Sequence, residues 1–155
     1  MNSQYPISNI QSPIERATSC FEQGFSCSQA ILCAYAPQFG LDRELALRVS
    51  GAFGGGMARM GATCGAVTGA FMVIGLRHGK IRAEDEEAKE KTYSLVAQFV
   101  DLFRQRNGSI LCRELLGCDI STPEGRMVAQ ETGVSAARCP KFVRDAAEIL
   151  EQILE

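Results

Sequence analysis

Seventeen uncharged residues in a row, at positions 60–76, constrain the fold of this chain more than any other feature. The run is at the short limit for crossing a bilayer, holds four glycines and two threonines, and has no aromatic belt at its ends. We therefore expect no membrane span. Residues 66–76 are uniformly apolar and predict a central helix buried on every side, and the glycine-rich stretch over residues 51–61 predicts a flexible segment before it.

Helix caps recur along the chain and indicate its secondary structure. Ser, Thr or Asp stands before stretches of helical spacing, in some cases with Glu or Gln three positions later. The caps that we predict are Ser12, Ser26, Asp42, Ser109 and Thr122. A helix over residues 83–106 follows from its acidic start and basic end, and Cys139 with Pro140 predicts the start of a last helix. With little strand pattern, the prediction is one all-α, compact multi-helix domain over residues 1–155.

Charge and composition narrow the function. The 155 residues include 16 Lys and Arg against 18 Asp and Glu, a net charge of −2, which argues against a nucleic-acid partner. With 46% hydrophobic residues, a chain of this length can bury a core without disulfides or metal. A metal or a disulfide would therefore serve function rather than folding. The apolar content also suggests a homodimer.

Seven cysteines beside a single histidine are the unusual part of the composition. Residues 1–20 have no basic start, apolar run or cleavage site, so we expect a cytoplasmic protein whose cysteines stay reduced. In that setting a set of cysteines is typical of metal binding or redox catalysis. His78 alone cannot make a His-rich metal site, and no Cys-x-x-Cys pair is present. Any site must therefore be assembled by the fold.

Four of the cysteines are predicted to lie in or beside the first turn of a helix, and they are Cys27, Cys64, Cys112 and Cys139. The unpaired N–H groups and the dipole of a helix start favour the thiolate, which is both the nucleophile and the metal ligand. Cys20 and Cys33 fall inside helices and are predicted to be buried structural residues. No role follows for Cys118.

Glycines flank Cys64 at helical spacing. Gly61, Gly65 and Gly69 are four residues apart and share one face of a helix. Such a face admits either a close helix–helix contact or a bulky inorganic group. The pattern leaves both interpretations open.

These residues together carry a resemblance to a known family. The runs GGGM at 54–57, CGAVTGA at 64–70 and CRELLG at 112–117, with Cys27 upstream and Cys139 downstream, resemble the C_GCAxxG_C_C family of probable redox-active proteins. The resemblance covers the chain from about Cys27 to the last helix. It implies a soluble redox protein whose four signature cysteines are Cys27, Cys64, Cys112 and Cys139.

Three mechanisms fit four converging thiolates. The preferred one is an iron–sulfur cluster, above all a [2Fe–2S] centre, held by the four signature cysteines. Gly65 and Gly69 would leave room for it. Such a cluster would pass single electrons to a redox partner protein. The second is a metal-free thiol–disulfide switch, in which Cys64 attacks and a neighbour such as Cys27 resolves. The third is a closed structural zinc site in an interaction module. Whether the protein is an enzyme does not follow from the sequence.

Overall fold

The computed structural model of the protein describes residues 11–154. Residues 1–10 and Glu155 lie outside the described residues. The expectation that the chain has no leader depends partly on residues 1–10. The described part is all-α, and its extended pairing is limited to an isolated bridge between Thr63 and Leu111. Its eight helices are α1 (Pro13–Glu22), α2 (Cys27–Tyr35), α3 (Arg43–Ser50), α4 (Gly65–His78), α5 (Glu86–Asn107), α6 (Cys112–Leu116), α7 (Pro123–Thr132) and α8 (Val134–Ile153).

The predicted caps of the first helices are confirmed. Ser12 Oγ accepts from the Glu15 N–H while the Glu15 carboxylate accepts from the Ser12 N–H, and Ser26 forms the same reciprocal cap with Gln29. Asp42 caps α3 in the predicted place, although α3 ends at Ser50 and residues 51–53 continue as a 3₁₀ turn. These ends are predictable because a cap joins groups only three residues apart.

The core forms where α2 and α4 pack face to face and α1, α5 and α8 close around them. The first turns of α4, from Gly65 to Ala70, are buried, as the prediction of a central helix requires, whereas Leu76 near its end is 38% exposed. Aromatic rings join α4, α5 and α8 in one row formed by Phe71, Phe99, Phe103 and Phe142. Across residues 11–154, every helix is too short or too polar to traverse a bilayer.

The glycine segment before α4 is a hydrogen-bonded left-handed turn rather than the flexible stretch expected. Five consecutive residues, 55–59, have φ between 51° and 69°. The Ala58 N–H donates to the Gly54 carbonyl, and the Ala62 N–H donates to the Gly56 carbonyl at 2.9 Å. Because Met57, Ala58 and Arg59 bear side chains, each costs about 1–2 kcal/mol in this region of backbone space. The surrounding contacts must supply that energy.

The start of the last helix was predicted wrongly. Cys139 and Pro140 lie inside α8, which begins at Val134, directly after Gly133 ends α7 with a φ of 65°. Proline fits within a helix because its φ is helical, at the cost of one hydrogen bond to the carbonyl four residues earlier. That carbonyl belongs to Ala136, which is exposed, so water can replace the missing N–H.

Two other starts differ from the prediction by a few residues. The long helix α5 begins at Glu86 rather than near residue 83, because the Asp85 carboxylate accepts from the Ala88 N–H. Ser109 does not cap α6. Its Oγ accepts from the N–H of Leu111, which is itself the N-cap residue and has no capping side chain.

Candidate functional site

Four cysteines from four separate places in the fold line one cavity of about 200 Å³. Cys27 is the first residue of α2, Cys64 is the N-cap of α4, and Cys112 is the first residue of α6. Cys139 reaches the same cavity from the middle of α8. The fold thus gathers the four cysteines that the sequence singled out.

The walls of this cysteine cavity are mostly apolar. Phe21, Leu115, Leu116, Ile120 and Phe142 contribute side chains, and Ser26 and Ser135 are the polar residues beside the thiols. Cys64 and Cys112 are 4% and 8% exposed, whereas Cys27 and Cys139 are half-buried. The cavity therefore has a deep side and a side nearer solvent.

Backbone pairing places Cys64 beside Cys112. The Cys64 N–H donates to the Ile110 carbonyl at 2.7 Å, and the Cys112 N–H donates to the Ala62 carbonyl at 2.6 Å. These bonds flank the isolated bridge between Thr63 and Leu111. Since a bridge fixes the register of two chain segments, it also fixes which residues follow it into α4 and α6.

Two glycines allow the backbone to approach the cysteines. A Cβ on Gly56 would lie 2.6 Å from the Cys112 Cβ and 2.8 Å from the Ala62 nitrogen. A Cβ on Gly65 would lie 3.2 Å from the Cys27 Cβ and 3.0 Å from the Ser28 nitrogen. Side chains at these positions would push the cysteines apart.

Gly69, which the sequence analysis grouped with the cofactor-binding residues, lies one turn further along α4. A Cβ there would meet the Ile31 Cβ and the Ser28 carbonyl oxygen, both at 3.0 Å. Gly69 thus faces α2 in a close helix–helix contact, and it is not among the residues lining the cavity, whereas Gly65 is.

Burial governs the ionisation of the deeper thiols. Burial is the main cause that raises the pKa of Cys64 to about 12, and the N–H groups of Ala66 and Val67 at the start of α4 act in the opposite direction without reversing it. Burial, followed by the charges of Cys139 and Cys118, raises the pKa of Cys112 to about 11. At Cys64 the helix start therefore acts in the expected direction, but desolvation outweighs it.

Cys27 and Cys139 both line the cavity, and each shifts the pKa of the other. A hydrogen bond with Cys139, then burial, raises the pKa of Cys27 well above its ordinary value, and the charges of Cys64 and Cys112 add to it. The same bond lowers the pKa of Cys139, against the opposing effect of burial.

The four sulfurs do not form a ready site for a single ion. Within the part of the chain that the structure describes, no group of three or more His, Cys, Asp or Glu residues is close enough to hold one metal ion.

Cys118 packs in the small cluster around Cys112, Leu116 and Ile120 but does not line the cavity.

The sequence analysis missed one contact and one close approach. Cys20 of α1 and Cys33 of α2, predicted to be separate structural residues, have their thiols in hydrogen-bond contact with each other. Gly56 was assigned only to a flexible segment, yet it touches Cys112. The signal for the first was weak: two cysteines on adjacent helices joined by a short turn.

The fold and this cavity define a class, that of small helical proteins with four cysteines gathered around one cavity. The chain belongs to the C_GCAxxG_C_C family, whose sequence model, described as "Putative redox-active protein (C_GCAxxG_C_C)", matches residues 25–153. The resemblance seen in the cysteine pattern is thereby confirmed. Neither the curated proteins nor the solved structures contain a match to this chain.

Proposed function

We propose that the protein transfers single electrons through a [2Fe–2S] cluster held by Cys27, Cys64, Cys112 and Cys139. The observation that carries this proposal is the gathering of these four cysteines around one cavity of about 200 Å³. Thiolate sulfur is the donor that iron–sulfur clusters require. The protein would then act with a redox partner protein.

The empty volume favours a bulky inorganic group over a thiol switch that uses these four residues. A disulfide between two of the four thiols would leave the rest of this volume empty. The cavity, of about 200 Å³, has room for a small inorganic group beside the four thiols. Gly56 and Gly65 bring bare backbone close to Cys112 and Cys27 at the wall of this cavity.

The arrangement of the sulfurs favours two iron atoms over one zinc ion. A structural zinc site needs four donors around one ion, and residues 11–154 hold no group of even three that meets this need. A two-iron cluster divides four thiolates between two metal atoms, which suits the close pair Cys27 and Cys139 opposite Cys64 and Cys112. When bound, the cluster would accept and release one electron at a time.

The chain itself would set the environment of this centre. Phe21, Leu116 and Phe142 give the cavity an apolar wall, which would disfavour added charge and so tune the potential of the centre. The half-buried Cys27 and Cys139 mark the side nearest solvent, where a partner would approach. A reducing compartment such as the cytoplasm would keep these thiols available to bind metal. The homodimer stays a prediction.

A metal-free thiol–disulfide function is the second candidate, and one observation favours it. The Cys27 and Cys139 thiols are already in hydrogen-bond contact. Oxidation of this pair would form one sulfur–sulfur bond and release two protons and two electrons to an acceptor disulfide, which becomes two thiols. An attack by Cys64 on a disulfide stays a prediction.

Anaerobic purification followed by iron, zinc and acid-labile sulfide analysis distinguishes these functions. Iron and sulfide in equal amounts, with visible absorption that bleaches on dithionite addition, would support the proposal. Zinc without sulfide would overturn it in favour of a structural site. Metal-free protein that fails to take up iron and sulfide on reconstitution, yet reversibly loses two hydrogens at Cys27 and Cys139, would establish the second candidate.

A further inference from the structure

A second pair of thiols lies outside the cysteine cavity. Cys20 of α1 and Cys33 of α2 are 4% and 6% exposed and lie in the same buried cluster, and a hydrogen bond between them is the main cause of the pKa shift of each. Neither residue lines the cavity of the four signature cysteines. The pair therefore has no part in the proposed cluster site and can be considered by itself.

An arginine donates a hydrogen bond to one sulfur of this pair. The Arg43 guanidinium, at the start of α3, donates from Nη1 to Cys33 Sγ at 2.7 Å. The same guanidinium stacks over the Phe25 ring, 5.8 Å from its centroid, which fixes its orientation. A buried thiol with no chemical role does not need a charged donor at this distance, whereas a thiolate is stabilised by one.

A second arginine adds to the positive field. Arg16 of α1 donates from Nε and Nη2 to the Ala34 carbonyl at 3.1 and 3.0 Å, which holds it beside the helix that carries Cys33. Among the described residues, neither Arg16 nor Arg43 forms an ion pair with a carboxylate. Their charges therefore remain available to a negative sulfur.

The two thiols differ in their chemical state. The hydrogen bond with Cys20 lowers the pKa of Cys33, and the charges of Arg43 and Arg16 lower it further against the effect of burial. The hydrogen bond with Cys33, with burial, raises the pKa of Cys20 far above its ordinary value. The pair thus has an attacking sulfur, Cys33, and a protonated neighbour that can resolve.

We propose that Cys20 and Cys33 form a second, metal-free redox site, which reacts with hydrogen peroxide through a Cys33 thiolate held by Arg43. The Cys33 sulfur attacks one peroxide oxygen, the O–O bond breaks, and hydroxide leaves and becomes water with a proton from solvent. Cys33 is then a sulfenic acid. The Cys20 sulfur attacks the Cys33 sulfur, the S–O bond breaks, and the second hydroxide leaves as water with the Cys20 proton.

In total, two thiols and one hydrogen peroxide react to give one disulfide and two waters. The two cysteine sulfurs lose two electrons in total, and the two peroxide oxygens gain them. A small oxidant is required because thiols that are 4% and 6% exposed are shielded from a protein disulfide. A small dithiol such as dithiothreitol would restore the thiols by exchange.

Peptide mapping tests this site separately from the cluster site. Chymotrypsin can cut after Phe21, Phe25 and Leu32, so Cys20, Cys27 and Cys33 fall into three different peptides. Reduced protein is treated with hydrogen peroxide, quenched by alkylation, digested and analysed by mass spectrometry. We expect a disulfide-linked pair of peptides that contain Cys20 and Cys33 and that separate after dithiothreitol. If both cysteines remain fully alkylated after peroxide treatment, the proposal is overturned.

Arg43 is the positioning residue in this proposal. We expect Arg43→Gln to form the disulfide about tenfold more slowly, because less thiolate is present at neutral pH. The matched control is Arg48→Gln on the same helix, where the exposed Arg48 bonds only Glu44, and it should react at the wild-type rate. Equal rates in all three proteins would contradict the proposal.

Two further variants keep the test decisive if Arg43→Gln does not fold. Arg43→Lys retains the positive charge and should keep most of the rate. Cys20→Ser removes the resolving sulfur, so peroxide should leave a Cys33 sulfenic acid that dimedone traps. Iron and sulfide content, measured in parallel, should not change in any of these variants, which separates this site from the proposed cluster.

Discussion

Gly56 and Cys112 touch so closely that a Cβ on Gly56 would lie 2.6 Å from the Cys112 Cβ. Gly56 belongs to the left-handed turn over residues 55–59, and its φ is 64°. The turn thus does two things at once: it reverses the chain before α4 and brings bare backbone against a cysteine of the site. Strained backbone of this kind is often found at functional sites.

Gly56→Ala should disrupt the cysteine cavity. The new Cβ meets Cys112 and the Ala62 backbone and also stands at an unfavourable φ, so we expect a loss of about 3 kcal/mol or more in the free energy of unfolding. Gly133→Ala is the control, since its φ is 65° but nothing lies within 4 Å, and it should cost about 1 kcal/mol. Chemical denaturation measures both, and equal losses would mean that the contact with Cys112 has no effect.

A second glycine pair tests the packing of α4 on α2. Gly65→Ala places a Cβ 3.0 Å from the Ser28 nitrogen and should destabilise the protein by about 1–3 kcal/mol. Gly75→Ala lies in the same helix with open space around the new Cβ, and should stabilise it by about 0.5–1 kcal/mol. Thermal unfolding measures whether each variant is stabilised or destabilised. A stabilising Gly65→Ala would show that the close approach of α2 is not required.

The ligand set should separate the cysteines into two groups. Under the proposed function, Cys64→Ser removes a sulfur from the cavity and should abolish cluster uptake, whereas Cys118→Ser and Cys33→Ala should leave iron and sulfide content unchanged. Metal and sulfide analysis after anaerobic reconstitution makes the comparison. Loss of the cluster in Cys118→Ser would transfer the ligand role to a residue outside the cavity wall.

Oxidation of the Cys20 and Cys33 pair should depend on pH with a definite sign. The hydrogen bond from Cys20, with Arg43 and Arg16, lowers the pKa of Cys33 from 9.0 to about 7. Because the thiolate attacks, the rate of disulfide formation should rise as pH increases through about 7 and level off above it. Stopped-time alkylation across this range measures the profile. A midpoint near 9.0 would indicate an ordinary thiol.

A buried carboxylate should make a larger contribution to stability than an exposed ion pair. Asp145 is 8% exposed and accepts from Arg106 at 3.3 Å and from Lys141 at 2.5 Å, joining α5 to α8. Asp145→Asn should cost about 1–3 kcal/mol in the free energy of unfolding. Glu44→Gln, which breaks the exposed pair with Arg48, should cost less than about 0.5 kcal/mol. Similar losses in urea titrations would contradict this ranking.

Local signals predicted the helices well where their causes were local. The caps Ser12, Ser26 and Asp42 act through hydrogen bonds to groups three residues away, and each was found in place. The same kind of signal failed at Pro140, because a proline marks a first turn only when nothing upstream extends the helix. Gly133, seven residues earlier, decided where α8 begins.

The ionisation of the cysteines could not be predicted from their positions along the helices. Cys64 does lie at a helix start, and the N–H groups there do lower its pKa, but burial raises it by more. Burial depends on which residues the rest of the chain brings to the cavity wall. The contact between Cys20 and Cys33 has the same origin, since it exists only once α1 and α2 pack against each other.

The sequence alone determines most of the helices of this protein, because capping and apolar spacing act over a few residues. It also determines the uncharged central segment and the set of cysteines. Only the tertiary structure decided which sulfurs meet. Cys64 and Cys112 are 48 positions apart, and they become neighbours through the bridge between Thr63 and Leu111 and through the bare backbone of Gly56. Such contacts between distant segments depend on how the whole chain packs, and no local pattern encodes them.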